Sequence, residues 1–196
     1  MQSNSLSRST PTIISSRVIG VLVLIFVEGM FFSALVSSYF VMKKGRDIWN
    51  AAGSIHLPVM AAGFNTLVLF ASCVSLFLAG RSFKNQQNTK MAASHLLRAL
   101  ILGVFFLTFQ AYLTVQLINA GMTITSSVYG GCYHLLVGFH LTQVLLGVFF
   151  MGKFYQNLLS DKPKVNSTIR DHFNSLQIFW LFVVGIWPVL YAEIYF

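Results

Sequence analysis

Charge is what this sequence has least of. Asp, Glu, Lys and Arg make up 9% of its 196 residues, against about 25% in a soluble domain. A soluble fold cannot hide the 56% of residues that are apolar, whereas a bilayer accepts them. Cysteine is scarce too. Cys73 and Cys132 are too few for a disulfide framework and do not fit zinc spacing. Both lie inside apolar stretches and read as small core residues. No phosphate-cradling glycine loop, nucleophile elbow, zinc-protease helix or cysteine pair is present. No internal repeat is visible, which weighs against carriers built from duplicated halves. Long polar loops that could build a soluble substrate pocket are lacking. The formal charge of +8 could point to nucleic acid, but the basic residues lie almost wholly between apolar segments. Membrane topology explains them better, and no nucleic-acid partner is expected.

Five long apolar segments are present, at about 18–42, 56–80, 99–118, 128–152 and 176–195. About 20 residues suffice to span the hydrocarbon core as a helix. A membrane strand would be roughly half as long and would alternate. The reading is an all-α membrane protein, a bundle of five transmembrane helices. Residues 1–17 form a polar tail, and 18–196 form a single transmembrane domain. The first run is too long for a signal-peptide core and has no A-x-A-like end, so it is expected to stay as a permanent span. Ten basic residues fall on one side: Arg8, Arg17, Arg81, Lys84, Lys90, Arg98, Lys153, Lys162, Lys164 and Arg170. Only Lys43, Lys44 and Arg46 fall on the other. That asymmetry puts the N-terminus in the cytoplasm and the C-terminus outside. The glycosylation pattern at Asn166 would then face inward and go unused.

Glu28 is the sharpest functional signal. It lies near the middle of the first span, where a buried carboxylate is costly, so it should face the bundle or a lipid-filled groove, as a functional acid or as a structural hydrogen-bond partner for a neighbouring helix. Beside it, Gly29, Ser33 and Ser37 form a small-residue stripe suited to helix packing. His134 and His140 are six residues apart, about 120° around a helix, so they cannot grip one ion from one face. Each should hydrogen-bond across helices, with Gly138 allowing close approach and Gln143 and Gly147 sharing the face of His140. The carboxylate of Glu28 is expected to meet His140, with His134, Gln116 and Asn65 as the other strong polar candidates. Asn65 and Ser72 share one face of the second span. Thr108, Tyr112, Gln116 and Asn119 make a polar face on the third, which should turn inward, either to glue helices or to line a pore. Trp49, Trp180, Trp187, Tyr191 and Tyr195 read partly as interface-belt residues. No catalytic group and no metal set emerges.

Several motifs resemble subunit III of the haem-copper oxidases. Phe26-Val27-Glu28-Gly29-Met30-Phe31-Phe32, followed by Ser38-Tyr39-Phe40, is similar to the helix that carries that family's glutamate. Pro58, Asn65-Thr66-Leu67 and Ser72 resemble its next helix. Tyr129-Gly130 and Gly138-Phe139-His140 resemble its Tyr-Gly and Gly-Phe-His signatures, and Trp180, Phe182, Trp187 and Tyr191 fall at its last aromatic positions. The sequence departs where Gln143 replaces a second histidine, where Leu181 and Val184 replace histidine and aspartate, and where Pro188 interrupts the last helix. The resemblance, to the short five-helix form, implies a noncatalytic accessory subunit of a proton-pumping terminal oxidase. It would sit in the inner (cytoplasmic) membrane, bind phospholipid and support proton uptake. It would carry no redox centre, haem and copper belonging to subunit I, its main partner among the respiratory subunits. The departures leave open an accessory protein of a nitric oxide reductase. From another class, a small pore or carrier built on Glu28 and the third-span polar face is the remaining alternative.

Overall fold

A chain in hydrocarbon must satisfy its backbone N–H and C=O groups internally, and these apolar runs do so as helices. The computed structural model describes residues 16–44, 58–84, 89–160 and 167–195. Arg8, Arg46, Trp49, His56, Lys162, Lys164 and Asn166 lie outside them. The described residues contain five helices and no strand: α1 (Ser16–Lys44), α2 (Val59–Lys84), α3 (Thr89–Asn119), α4 (Val128–Ser160) and α5 (Ser167–Tyr195). All five are long and apolar enough to cross a membrane. They also outrun their apolar segments, α3 by a full N-terminal extension that carries Lys90 and Arg98. The apolar run marks only the part in hydrocarbon, and the helix continues into the polar layer.

Local sequence sets the helix ends. Pro58 starts α2, and its carbonyl accepts from Ala62 N at 3.0 Å. Gly121 ends α3 with φ of 97°, a conformation glycine adopts without a Cβ clash. Its N–H donates to Ile118 O at 3.0 Å, and Met122 N–H donates to Leu117 O at 2.9 Å. This pair of crossed bonds, with Met122 and Leu117 both buried, is a Schellman stop. Ser127 then caps α4, its Oγ accepting from Gly130 N at 3.0 Å. Contrary to the sequence reading, α5 runs unbroken through Pro188. Packed neighbours can re-satisfy the backbone around a proline in a membrane helix.

Helices α2, α3, α4 and α5 form a closed ring, each packed on two neighbours in the order α2–α3–α4–α5–α2. The core lies inside that ring and includes Leu69, Leu76, Phe106, Tyr133, Val137, Val144, Trp180, Trp187 and Leu190. Trp180 sets the spacing of three helices. A Cβ on Gly147 would lie 2.6 Å from its ring carbons, and one on Gly103 would lie 3.2 and 3.3 Å away. Two glycines thus make the slot that the indole fills. Outside the ring, α1 packs on α5 and, less extensively, on α4. It buries only Phe32 and Tyr39.

Candidate functional site: a cleft beneath Glu28

Where α1 leans on the ring it leaves a cleft. The cavity measures about 420 Å³ and runs between α1, α4 and α5. Its polar residues are Arg17, Lys153, Asn157, His172 and Ser175, with Glu28 further along α1. Apolar walls come from Val21, Leu24, Leu146, Phe150, Leu176 and Phe179. Arg17 and Glu28 are eleven residues apart on one helix, about 16 Å of rise. The cleft therefore grades from a basic mouth, through an apolar middle, to a carboxylate.

Glu28 is half-buried. Its Oε2 accepts from Gln143 Nε2 at 2.7 Å, so α4 supplies the partner but through a different residue from the one expected. His140 lies one turn from Gln143 and faces the ring interior instead. There its imidazole stacks on Trp187 at 4.9 Å and meets the edge of Phe106 at 6.1 Å. The physical reason is the outlying position of α1: a side chain fully buried inside the ring, as His140 is, cannot also reach a helix outside it. Gln143 is 2% exposed, and its Oε1 has no hydrogen-bond partner. Its amide is thus oriented chiefly by Glu28.

Other expected residues separate in the same way. Asn65 is fully buried and belongs to the ring, where Nδ2 donates to Gln110 Oε1 at 3.1 Å and to Phe106 O at 3.2 Å. His134 lies within its own helix's reach, with Nδ1 2.8 Å from Gly130 O. Gly29 faces α5, its nearest neighbour there being Phe182. Ser33 and Ser37 are exposed. Gly138 is exposed and nothing approaches it, so it does not bring helices together in this chain; Gly147 does. The third-span polar face also differs from expectation. Thr108, Tyr112, Gln116 and Asn119 all lie on the outer surface, so they neither glue the ring nor line a pore. Gln110, which sequence reading passed over, is the buried polar group of α3.

The Gly-Phe-His run now has a physical account. Phe139 grips α1, with ring centroids 4.6 Å from Phe31 and 5.4 Å from Phe32. His140, the next residue, turns into the core. Tyr39 completes the anchoring of α1 by donating to Glu193 O at 2.8 Å. Tyr129 donates to the neighbouring Ile194 O at 3.0 Å. Among the described residues, no group of three or more His, Cys, Asp or Glu side chains is placed to hold a metal ion.

The glutamate helix, the Tyr-Gly and Gly-Phe-His runs and the aromatic last helix thus occupy one connected arrangement. The profile of the family "cytochrome c oxidase subunit III" matches residues 1–196. The chain belongs to the cytochrome c oxidase subunit III family. Among its relatives is the cytochrome c oxidase subunit 3 of Corynebacterium diphtheriae, 31% identical over 185 residues, covering 91% of this chain and 86% of that protein. The subunit 3 of Synechocystis is 23% identical, covering 91% of this chain and 75% of the relative. The longer subunit 3 of Pongo abelii is 31% identical, and the match spans 87% of this chain but 63% of that protein. Family membership also makes this a multi-pass membrane protein, in agreement with its five spans.

Proposed function

We propose that this chain is a noncatalytic accessory subunit of a respiratory terminal oxidase. In this reading it packs beside the haem- and copper-bearing subunit I in the inner membrane and holds phospholipid in the cleft beneath Glu28. The observation that carries the lipid assignment is the graded cleft. A phosphate at the mouth would accept charge-assisted hydrogen bonds from Arg17 and Lys153. An acyl chain would lie along Leu24, Leu146, Phe150 and Phe179, trading lipid contacts for protein contacts of similar dispersion. At the far end, the Glu28–Gln143 pair keeps an ionisable group inside the membrane, which supports a role in proton supply to the complex. The exposed serines of α1, Ser33 and Ser37, let another helix approach closely, and this is the face assigned to subunit I. The N-terminus is assigned to the cytoplasmic side from the distribution of Lys and Arg.

The pore reading loses its support. It required Glu28 and the α3 polar face to converge, and they lie on α1 and on the outside of α3. The test is purification in mild detergent, followed by haem spectra and lipid mass spectrometry. The expected result is co-purification with haem-bearing subunits of an oxygen-reducing complex and with retained phospholipid. Co-purification with a complex that reduces nitric oxide and not oxygen would reassign the partner. Ion transport by the chain alone in liposomes would overturn the accessory reading.

A further inference from the structure

Helix α3 has two unlike sides. Inward it buries Gly103, Phe106, Gln110, Leu113 and Leu117. Outward it exposes Thr108, Tyr112, Gln116 and Asn119, at steps of four, four and three residues, which is one continuous stripe. Arg98 and Asn119 bracket the apolar run, so Thr108 lies near its middle. Tyr112 and Gln116 follow about 6 and 12 Å nearer the 120–127 turn. Both fall inside a hydrocarbon half-thickness of about 15 Å.

Thr108 is satisfied by its own helix, donating to Val104 O and Phe105 O at 3.0 Å. The next two residues are not. Gln116 Nε2 donates to the Tyr112 hydroxyl, which leaves the Tyr112 proton, the Gln116 carbonyl and a second amide hydrogen with capacity to spare. Tyr112 is 56% exposed. Acyl tails offer these groups nothing. The contrast is with the outer face of α2, where Met60, Phe64, Leu67, Val74 and Phe77 are exposed and match lipid without penalty.

The chemistry narrows the occupant. Neither the stripe nor the 120–127 turn holds Lys, Arg, Asp or Glu, so an anionic headgroup finds no cation there. The unused groups include both donors and acceptors at one-turn spacing, which a helix running alongside can meet in register. A second copy fits poorly. A two-fold axis along the membrane normal would set Tyr112 against its own image at equal depth, holding the backbones apart. A different helix can place a small residue opposite that ring.

We propose that this stripe is an intramembrane docking surface for a transmembrane helix of a neighbouring subunit, one that presents small, uncharged hydrogen-bonding side chains at three- or four-residue spacing. The proposal rests on the accessory-subunit reading above, and places a contact on a different helix from the α1 serines. The test uses the intact complex with a photoreactive amino acid at position 116, irradiated in membranes and purified in mild detergent. The expected product is an adduct with a different polypeptide of the complex. Adducts with lipid alone, or with a second copy, would overturn the docking surface while the haem-bearing subunits still co-purify. Absence of haem-bearing subunits from the preparation would overturn both readings. In parallel, Tyr112→Phe combined with Gln116→Leu changes only exposed side chains. It should lower retention of the cross-linked partner by roughly tenfold; unchanged retention would also overturn the proposal.

Discussion

Replacing Glu28 with leucine should loosen α1 from the ring, and the structure sets the size of the effect. Glu28 is half-exposed to the cleft, so its own burial changes little. Its partner is the sensitive end. Gln143 is 2% exposed, with its Oε1 already unpartnered, and loss of the 2.7 Å bond strands the Nε2 hydrogens as well. Leaving a buried donor unmet costs about 1–3 kcal/mol. That is several-fold to more than a hundredfold in the docking equilibrium, since each 1.4 kcal/mol is about tenfold. The other contacts of α1 all lie on one side of it, against α5 and α4, and include the Phe31–Phe139–Phe32 cluster and the Tyr39 bond to Glu193 O. The loss should therefore appear as local release of α1 before the ring unfolds. Glu28→Gln keeps an acceptor within reach and should cost under about 1 kcal/mol. Amide hydrogen exchange in nanodiscs, read separately for α1 and for α2 to α5, measures the release directly. A double-mutant cycle then identifies the partner. Glu28→Leu with Gln143→Leu should show a coupling of about 0.5–3 kcal/mol, whereas Glu28→Leu with His140→Phe should be additive. Additivity with Gln143 and coupling with His140 would refute the pairing.

Gly147→Leu should prevent seating of Trp180, because even a Cβ there lies 2.6 Å from the ring. A loss of about 1–3 kcal/mol or more in detergent unfolding checks it. Trp187→Phe removes the 2.8 Å bond from the indole N–H to Thr66 Oγ. It should cost about 1 kcal/mol beyond the volume change, and Thr66→Val on the same background should recover part of it. Arg17→Gln with Lys153→Gln should reduce the phospholipid retained after detergent washing, by mass spectrometry, and raising salt should mimic the change in the parent chain. Ser33→Leu should weaken co-purification with the large subunit while leaving α1 seated, because Ser33 is exposed and donates only to Gly29 O.

The number and order of helices were legible because each apolar run is long enough to decide the matter alone. The direction in which each face points was not. Spacing shows that Thr108, Tyr112 and Gln116 share a face, but an all-apolar helix gives that face no hydrophobic opposite from which to take its bearing. In lipid, polar-outward is unusual enough that inward was the natural reading. The partner of Glu28 failed for a related reason. His140 and Gln143 lie three residues apart on one side of α4, and only the rotation of α4 within the ring decides which one looks out toward α1. The cleft itself needed three helices to be placed together: Arg17, Lys153 and His172 are scattered through the sequence and share only their position just outside the apolar runs.

The outlying position of α1 has a further consequence. A pocket cut into the ring would have its width set by four mutually packed helices, but one wall of this cleft is α1, which lies outside that ring and packs on α5 and, less extensively, on α4. Whatever fills it also wedges α1 in place, because a ligand bound only when the wall is seated favours the seated state by mass action. The molecule filling the cleft would then act as a structural member, and stripping it away should free a helix as well as empty a site.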